Sequence, residues 1–338
     1  MKRFLNILFT ASCWLYFLLL FGWLAINRAI GDRLAWISIP SYFGVYLFLP
    51  LPLVLLVAIN LRRRSLWVGA LLVTMAFIWL WGGLFLPRAR GLSGEPTLTV
   101  MTYNVLGWQL HTQEQIDTIR IENADVVLIQ ELYPELAHAL REELADEYPY
   151  QVLTPREGVI GMGVISKFPL HKSELKLPLQ WVGEPLILEM DWDGKVVIVV
   201  NFHMIPTNSL EMSRVSRDNR YREAQARALV DLVSQRGPAI IGGDANTTPL
   251  TSAYKILANH FEDGWEQAGF GMGHTFPGSD IAGSSRPRIA GWSVPMWLAR
   301  IDYIFFTPEW QALAAHTARF DGVSDHRGVV VMLALLSK

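Results

Sequence analysis

Pro238 to Asn246 reads Pro-Ala-Ile-Ile-Gly-Gly-Asp-Ala-Asn. Pro238 to Ile241 is a short apolar strand that stops on two glycines and a carboxylate. A single Asp after Gly-Gly is most often a turn or a helix cap. Here the pattern recurs along the chain. Thr97 to Asn104 (TLTVMTYN) alternates and is β-branched, so it reads as a strand ending on Asn104. Asp125 to Gln130 (DVVLIQ) is a continuous apolar run, as in a strand buried on both faces, and Glu131 follows it. Gly163 to Ser166, Leu186 to Asp191, Lys195 to Asn201, Arg300 to Thr307 and Gly328 to Leu335 read as further strands. His203, Asp302, Asp325 and His326 stand at or near their ends. Thr112 to Asn123, Glu135 to Glu147 and Asn219 to Gln235 are helix-like. Strands mixed with helices, and polar groups where strands stop, predict an α/β layered sandwich with its site at one sheet edge.

Upstream of residue 97 the character changes. The chain is 51% hydrophobic and 18% charged, whereas a soluble domain is about a quarter charged. The apolar excess sits in Phe4 to Ile26, Ala35 to Ile59 and Leu66 to Leu86. Each is long enough for the ~20 helical residues that cross a bilayer. Lys2 and Arg3 precede the first run, as they would in a signal peptide. Its length, the lack of a small-x-small cleavage site and the two runs that follow predict a retained anchor. Pro40, Pro50 and Pro52 kink or shorten the second span. Trp23, Trp36, Trp67, Trp79 and Trp81 gather near the predicted ends, as interfacial aromatics do.

Lys2, Arg3 and the Arg62-Arg63-Arg64 loop belong in the cytoplasm by the positive-inside rule, with Arg88 and Arg90 pulling weakly the other way. Three crossings then put everything after Leu86 on the extracytoplasmic side of the cell membrane. A re-entrant second span would leave it in the cytoplasm. The expected organisation is a multi-pass membrane domain over 1–86 (spans 4–26, 35–59 and 66–86), a linker over 87–96 and a globular domain over 97–338. The last is ample for one large core.

Lys plus Arg total 29 and Asp plus Glu total 31, for a net charge of −2. That balance argues against a protein that holds nucleic acid mainly through a large basic surface. A lone cysteine, Cys13, excludes an intramolecular disulfide and a Cys-rich zinc site. The sequence carries no internal repeat, no low-complexity segment and no clear protein-partner surface.

In chain order the strand-end motifs are Thr-Tyr-Asn (102–104), Gln-Glu (130–131), Asn-Phe-His (201–203), Gly-Gly-Asp-Ala-Asn (242–246), His-Thr-Phe (274–276), Arg-Ile-Asp-Tyr-Ile-Phe (300–305) and Ser-Asp-His (324–326). The series resembles the endonuclease/exonuclease/phosphatase (DNase I-like) superfamily across nearly all of 97–338. The resemblance implies a four-layer sandwich, two packed mixed β-sheets flanked by helices, that hydrolyses phosphate esters with Mg²⁺ and an activated water. Mn²⁺ accepts the same oxygen donors. It further implies metal ligation by Glu131, supported by Asn104 and Asp325. Asp244 would orient or deprotonate the attacking water, and Asn246 would position phosphate and nucleophile. His326 would contact the scissile phosphate with Asp302 as its carboxylate partner, and His203 would be the second phosphate-side histidine. Thr275 would position neighbours of this site. Apurinic-site endonucleases carry an acid two places after the motif-one Asn; Leu106 stands there, which counts against that branch.

Three features bear on the substrate. The linker reaches at most ~35 Å when extended, so the domain works close to the bilayer. Residues 277–299 form an insertion with Arg286 and Arg288 beside Trp292 and Trp297, suited to an interface or an anionic head group, or else to ordinary packing under a long loop. Trp181 and Val182 form a second loop of that character. Arg222 could face phosphate, although Arg214, Arg217, Arg220, Arg222 and Arg227 spread over several faces of one helix. The expected function is a membrane-anchored, Mg²⁺-dependent hydrolase of a lipid-linked phosphate, diphosphate or phosphodiester at the outer face. The layout resembles bacterial membrane phosphatases associated with cell-envelope lipid carriers. The alternatives are an envelope-anchored nuclease and a non-catalytic membrane interaction protein with a relict site.

Overall fold

The computed structural model describes residues 1–88, 95–108, 111–209, 211–281 and 284–336. Residues 89–94 of the expected linker, Arg90 among them, lie outside the described residues, as do 282–283 of the insertion and 337–338. The amino-terminal part consists of α1 (Lys2–Ile30), α2 (Ala35–Tyr42), a 3-10 turn over Gly44–Phe48, α3 (Leu51–Leu61) and α4 (Arg64–Trp81), which runs on through a 3-10 turn to Phe85. Lys2–Ile30, Gly44–Leu61 and Arg64–Phe85 are long and apolar enough to cross a membrane. Their outward faces are apolar, with Leu18, Leu53, Leu71 and Trp79 exposed.

The expected span 35–59 is therefore not one helix. α2 stops at Phe43, carries Pro40 inside it, and buries Ala35, Ile37, Ser38 and Ser41. Pro50 and Pro52 sit at the start of α3, where a missing N–H costs nothing. The candidate crossing begins at Gly44, and α2 packs on the globular domain instead.

From Thr97 the chain builds two mixed sheets. The first half holds β1 (Thr97–Asn104), α5 (Thr112–Glu122), β2 (Val126–Gln130), α6 (Pro134–Glu143), β3 (Tyr150–Thr154), β4 (Met162–Ser166) and β5 (Leu170–Lys172). Next come β6 (Leu186–Trp192), β7 (Lys195–His203), α7 (Met212–Val233), β8 (Ala239–Asp244), α8 (Ser252–Ala258), β9 (Glu262–Asp263) and α9 (Gly264–Ala268). The chain closes with β10 (Arg288–Ile289), β11 (Trp292–Ser293), β12 (Asp302–Phe306), β13 (Trp310–Thr317) and β14 (Val329–Leu335). One six-stranded sheet has the order β13-β14-β1-β2-β4-β3, the other β5-β6-β7-β8-β12-β9. β10 and β11 form a separate two-stranded hairpin in the insertion.

Each large sheet holds one parallel pair, β1 with β2 and β7 with β8. A parallel pair needs a crossover, and α5 and α7 supply it. Val100, Val126, Leu128, Val164, Leu188, Val199, Ile304 and Val331 fill the space between the sheets. Ile116, Ile119, Leu136 and Leu140 of α5 and α6 cover the outer face of the first sheet. Ala226, Leu229, Val233 and Leu257 of α7 and α8 cover the second. The result is the four-layer α/β sandwich, and its central strands are largely apolar because both their faces are buried.

Candidate active site

The central strands deliver their polar ends to one place. β7 and β8 run parallel with His203 opposite Asp244. β12 lies antiparallel to β8 with Asp302 opposite Asp244. His203, Asp244 and Asp302 thus stand side by side across three strands. Gly243 makes this close approach feasible: a Cβ there would meet the Phe202 carbonyl oxygen at 1.9 Å. The first sheet contributes Asn104 at the end of β1, Glu131 just past β2, and Asp325 and His326 just before β14. The site therefore bridges both sheets at the ends of their central strands.

The contacts are dense. Asn104 Nδ2 donates to Glu131 Oε1 and to Asp244 Oδ2, both at 3.1 Å. Its Oδ1 accepts from the Leu106 amide, which fixes the orientation of the side-chain amide. Glu131 Oε2 accepts from the Gly107 amide at 3.0 Å. His203 Nε2 lies 3.3 Å from Asp244 Oδ2, and His326 Nε2 lies 3.8 Å from the same oxygen. His326 Nδ1 meets Asp302 Oδ2 at 2.9 Å. Asp244 Oδ1 accepts from the Asn246 amide at 2.8 Å. Leu106, Glu131 and Asn246 all adopt left-handed backbone at φ 59°, 61° and 47°. Such conformers are unfavourable for side chains of this size and cluster where function demands them.

Burial and neighbouring charge set the ionisation. Burial would lower His326, but the Asp302 and Asp244 carboxylates outweigh it and raise its pKa well above the usual imidazole range. Burial opposes charge on His203 too, and the hydrogen bond to Asp244 reverses that, so its pKa also rises. Burial pushes Asp244 up, yet the two histidines hold its carboxyl below the ordinary value. Glu131 is raised, by burial first and by the charge of Asp325 among the lesser causes.

Asp244, Asp302 and His326 carry potential ligand atoms within 4.8 Å of one another, a candidate acidic/His metal cluster. Within that group His326 Nδ1 is already hydrogen-bonded to Asp302 Oδ2 at 2.9 Å. Glu131 and Asp325 place further carboxylates beside it. Four carboxylates face two raised histidines, and among the described residues no Lys or Arg pairs with any of the four. A hard divalent cation on carboxylate oxygens would suit so acidic a setting.

The remaining sequence candidates fall into place unevenly. Thr275 is buried, and its Oγ1 accepts from the Ile301 and Asp302 amides, so it supports Asp302 and does not face a substrate. Arg222 is turned away from the site: its guanidinium is spent on Ile205 O, Thr207 Oγ1, Asn219 Oδ1 and Tyr42 Oη. Arg286 staples the insertion through Val294 O and Gly278 O. Arg288 is exposed beside Asp280. Trp297 packs under the Arg327 guanidinium and edge-on to Phe320, so it is not a free interfacial aromatic. Trp181 is likewise buried against Phe202. Trp292 is 81% exposed at the hairpin.

Two contributors escaped the sequence reading. Ser285 of the insertion holds Asp325 Oδ2 through its amide (2.8 Å) and its hydroxyl (2.6 Å); a loop serine gives no signal of this. Ser324 joins Asn104 O to the His326 amide, and it lay unassigned within the Ser-Asp-His motif.

The family model described as "Endonuclease/Exonuclease/phosphatase family" matches residues 101–326, which include every residue of this cluster. Among solved structures, the endonuclease/exonuclease/phosphatase from Beutenbergia cavernae DSM 12333 is 25% identical, over 71% of this chain and 72% of that one, with a TM-score of 0.51. A Bacteroides vulgatus endonuclease/exonuclease/phosphatase is 17% identical over 72% and 100% of the chains, TM-score 0.53. Truncated Caenorhabditis elegans TDP2 is 17% identical over 70% and 98%, TM-score 0.54. The last two are likenesses of fold alone. No curated protein matches the sequence.

Proposed function

Because the chain belongs to the endonuclease/exonuclease/phosphatase family and is a hydrolase of phosphate esters, we propose that it is a membrane-anchored, Mg²⁺-dependent member acting at the outer face on a lipid-linked phosphate, diphosphate or phosphodiester. One observation carries the membrane reading. Among the described residues, the hydrogen bonds and ring contacts between the globular domain and the apolar helices fall between Asn27 and Tyr46 and at Leu84 and Phe85. Lys2, Arg3 and Arg62 to Arg64 lie at the other end of those helices, which supports an outward-facing domain. Asn246 sits beside Tyr42, just before the Gly44 start of a candidate crossing, so the site lies near the bilayer surface.

A divalent cation held by Glu131 and Asp325 would neutralise charge on the phosphate and the leaving oxygen. Asp244 Oδ2 is the group that can orient a water. Three donors surround it and keep it anionic, so it is a positioner more than a strong base. His326, cationic through Asp302, is set to donate to a phosphoryl oxygen as charge develops there. His203 Nδ1 is buried and has no hydrogen-bond partner among the described residues.

Glu131→Gln and Asp244→Asn in the full-length protein test this reading on a simple phosphodiester. Each should cost at least about 1,000-fold in turnover, as loss of central electrostatic groups does, with the circular dichroism of the fold retained. Turnover near wild type in either would refute the assigned roles.

A further inference from the structure

The segment between α1 and α3 does more than connect them. Asn27 Nδ2 donates to Ser41 Oγ at 2.8 Å and to Leu250 O at 3.2 Å, while Lys255 Nζ reaches Asn27 Oδ1 at 2.7 Å. Asp32 Oδ1 accepts from the Ser252 amide at 2.8 Å, and the Asp32 amide donates to Ser252 Oγ. Thr248 Oγ1 donates to Ser41 O at 3.1 Å. Tyr42 Oη accepts from Arg222 Nη2 and contacts Asn246 O at 3.4 Å. Asn219 of α7 ties in from the side, donating to Asp32 O and Ser38 Oγ. Gly44 permits the close approach: a Cβ there would lie 2.3 Å from Leu250 Cδ1.

Most partners on the globular side, Asn246, Thr248, Leu250, Ser252 and Lys255, lie in the one stretch that follows Asp244, with Asn219 and Arg222 of α7 beside them. Asn246 is half-buried, in left-handed backbone, and its amide holds Asp244 Oδ1. Its side chain is committed to Met204 O, so its carbonyl is the face that Tyr42 meets. A shift of this turn would move the Asp244 carboxylate with it.

We propose that residues 27–44 are a strap that positions the Asn246 turn, and through it Asp244, so that the membrane segment is a working part of the active site. Tyr42 and Asp32 are then positioning residues for the hydrolysis. The inference rests on the catalytic reading of Asp244 given above.

The test uses the full-length protein in detergent and a soluble phosphodiester that needs no bilayer. Tyr42→Phe and Asp32→Ala are compared with wild type and with Asp244→Asn, well below each Tm. Both strap variants should lose kcat by about 10- to 100-fold, the scale of an ångström-level misplacement, with KM held within about twofold. Thr248→Val cuts the strap from the globular side and should show the same split. A strap that only stabilises the fold would lower Tm and leave the kcat of the folded enzyme unchanged, which would overturn the inference. So would wild-type kcat in the strap variants beside an inactive Asp244→Asn. An active Asp244→Asn would instead remove the catalytic reading, and the inference with it.

Discussion

His326 ties the electrostatics of the site together, since Asp302, Asp244 and Asp325 all approach its ring. Its raised pKa fixes the sign of a pH effect. The imidazolium is fully present below the ordinary imidazole value and is lost only as pH rises through the raised one. Asp302→Asn removes the first-named carboxylate and lets burial dominate, so the pKa falls. The alkaline limb of the pH–kcat profile should then move to lower pH by at least about one unit. An unmoved limb would mean that some other group carries it. At this scale the sequence was most informative for residues at strand ends, because a turn or a cap accounts for one such residue but not for an ordered series of them. It was least informative for long side chains. Arg222 and Trp297 look available in a sequence, yet one is held by four acceptors within the fold and the other packs under Arg327. Burial of that kind depends on tertiary neighbours, which residue type does not reveal.

The elements were legible where period and burial agree. β1 runs from Thr97 to Asn104 as read, and the apolar run ending at Gln130 is β2 with both faces covered. β3 and β13 were not anticipated. Both are edge strands. β13 (WQALAAHT) is alanine-rich with a register shift between Ala312 and Ala314, so neither composition nor period marks it. α2 was absorbed into a transmembrane run because it is apolar, although its buried face includes Ser38 and Ser41. Between the sheets, Gln130 Nε2 donates to Asn201 Oδ1 at 2.6 Å, and Asn201 Nδ2 donates to Ile129 O and Gly163 O. These motif residues therefore pin one sheet to the other near the site. The apolar helices carry a prediction of their own. Protease added to intact cells should cut the globular domain, while a tag at the Arg62–Arg64 loop should stay protected. The reverse pattern would mean an inward-facing domain and a re-entrant second span.

For the whole molecule, the apolar helices and the sandwich are joined by polar ties on both sides of the site, from Asn27 at one end to Gly271, whose amide donates to Leu84 O. Under the proposed anchoring, a domain held this way would sample substrate at the membrane surface and not throughout the surrounding volume. The exposed Ile289 and Trp292 of the hairpin, together with Trp108 beside the Gly107 amide that binds Glu131, give the surface apolar points that a lipid substrate could engage. Of the basic residues of α7, Arg222 is consumed internally, Arg214 and Arg217 pair with Glu211 and Asp218, and Arg220 and Arg227 are exposed. The most direct measurement is one matched assay of the detergent-purified full chain with Mg²⁺, presenting a lipid diphosphate, a phospholipid and plasmid DNA side by side, with Asp244→Asn as the blank. The account predicts chelator-sensitive turnover of a lipid substrate, reduced in Trp292→Ser, and no nicking of DNA. Nicking of DNA without lipid turnover would contradict it and make the chain an anchored nuclease.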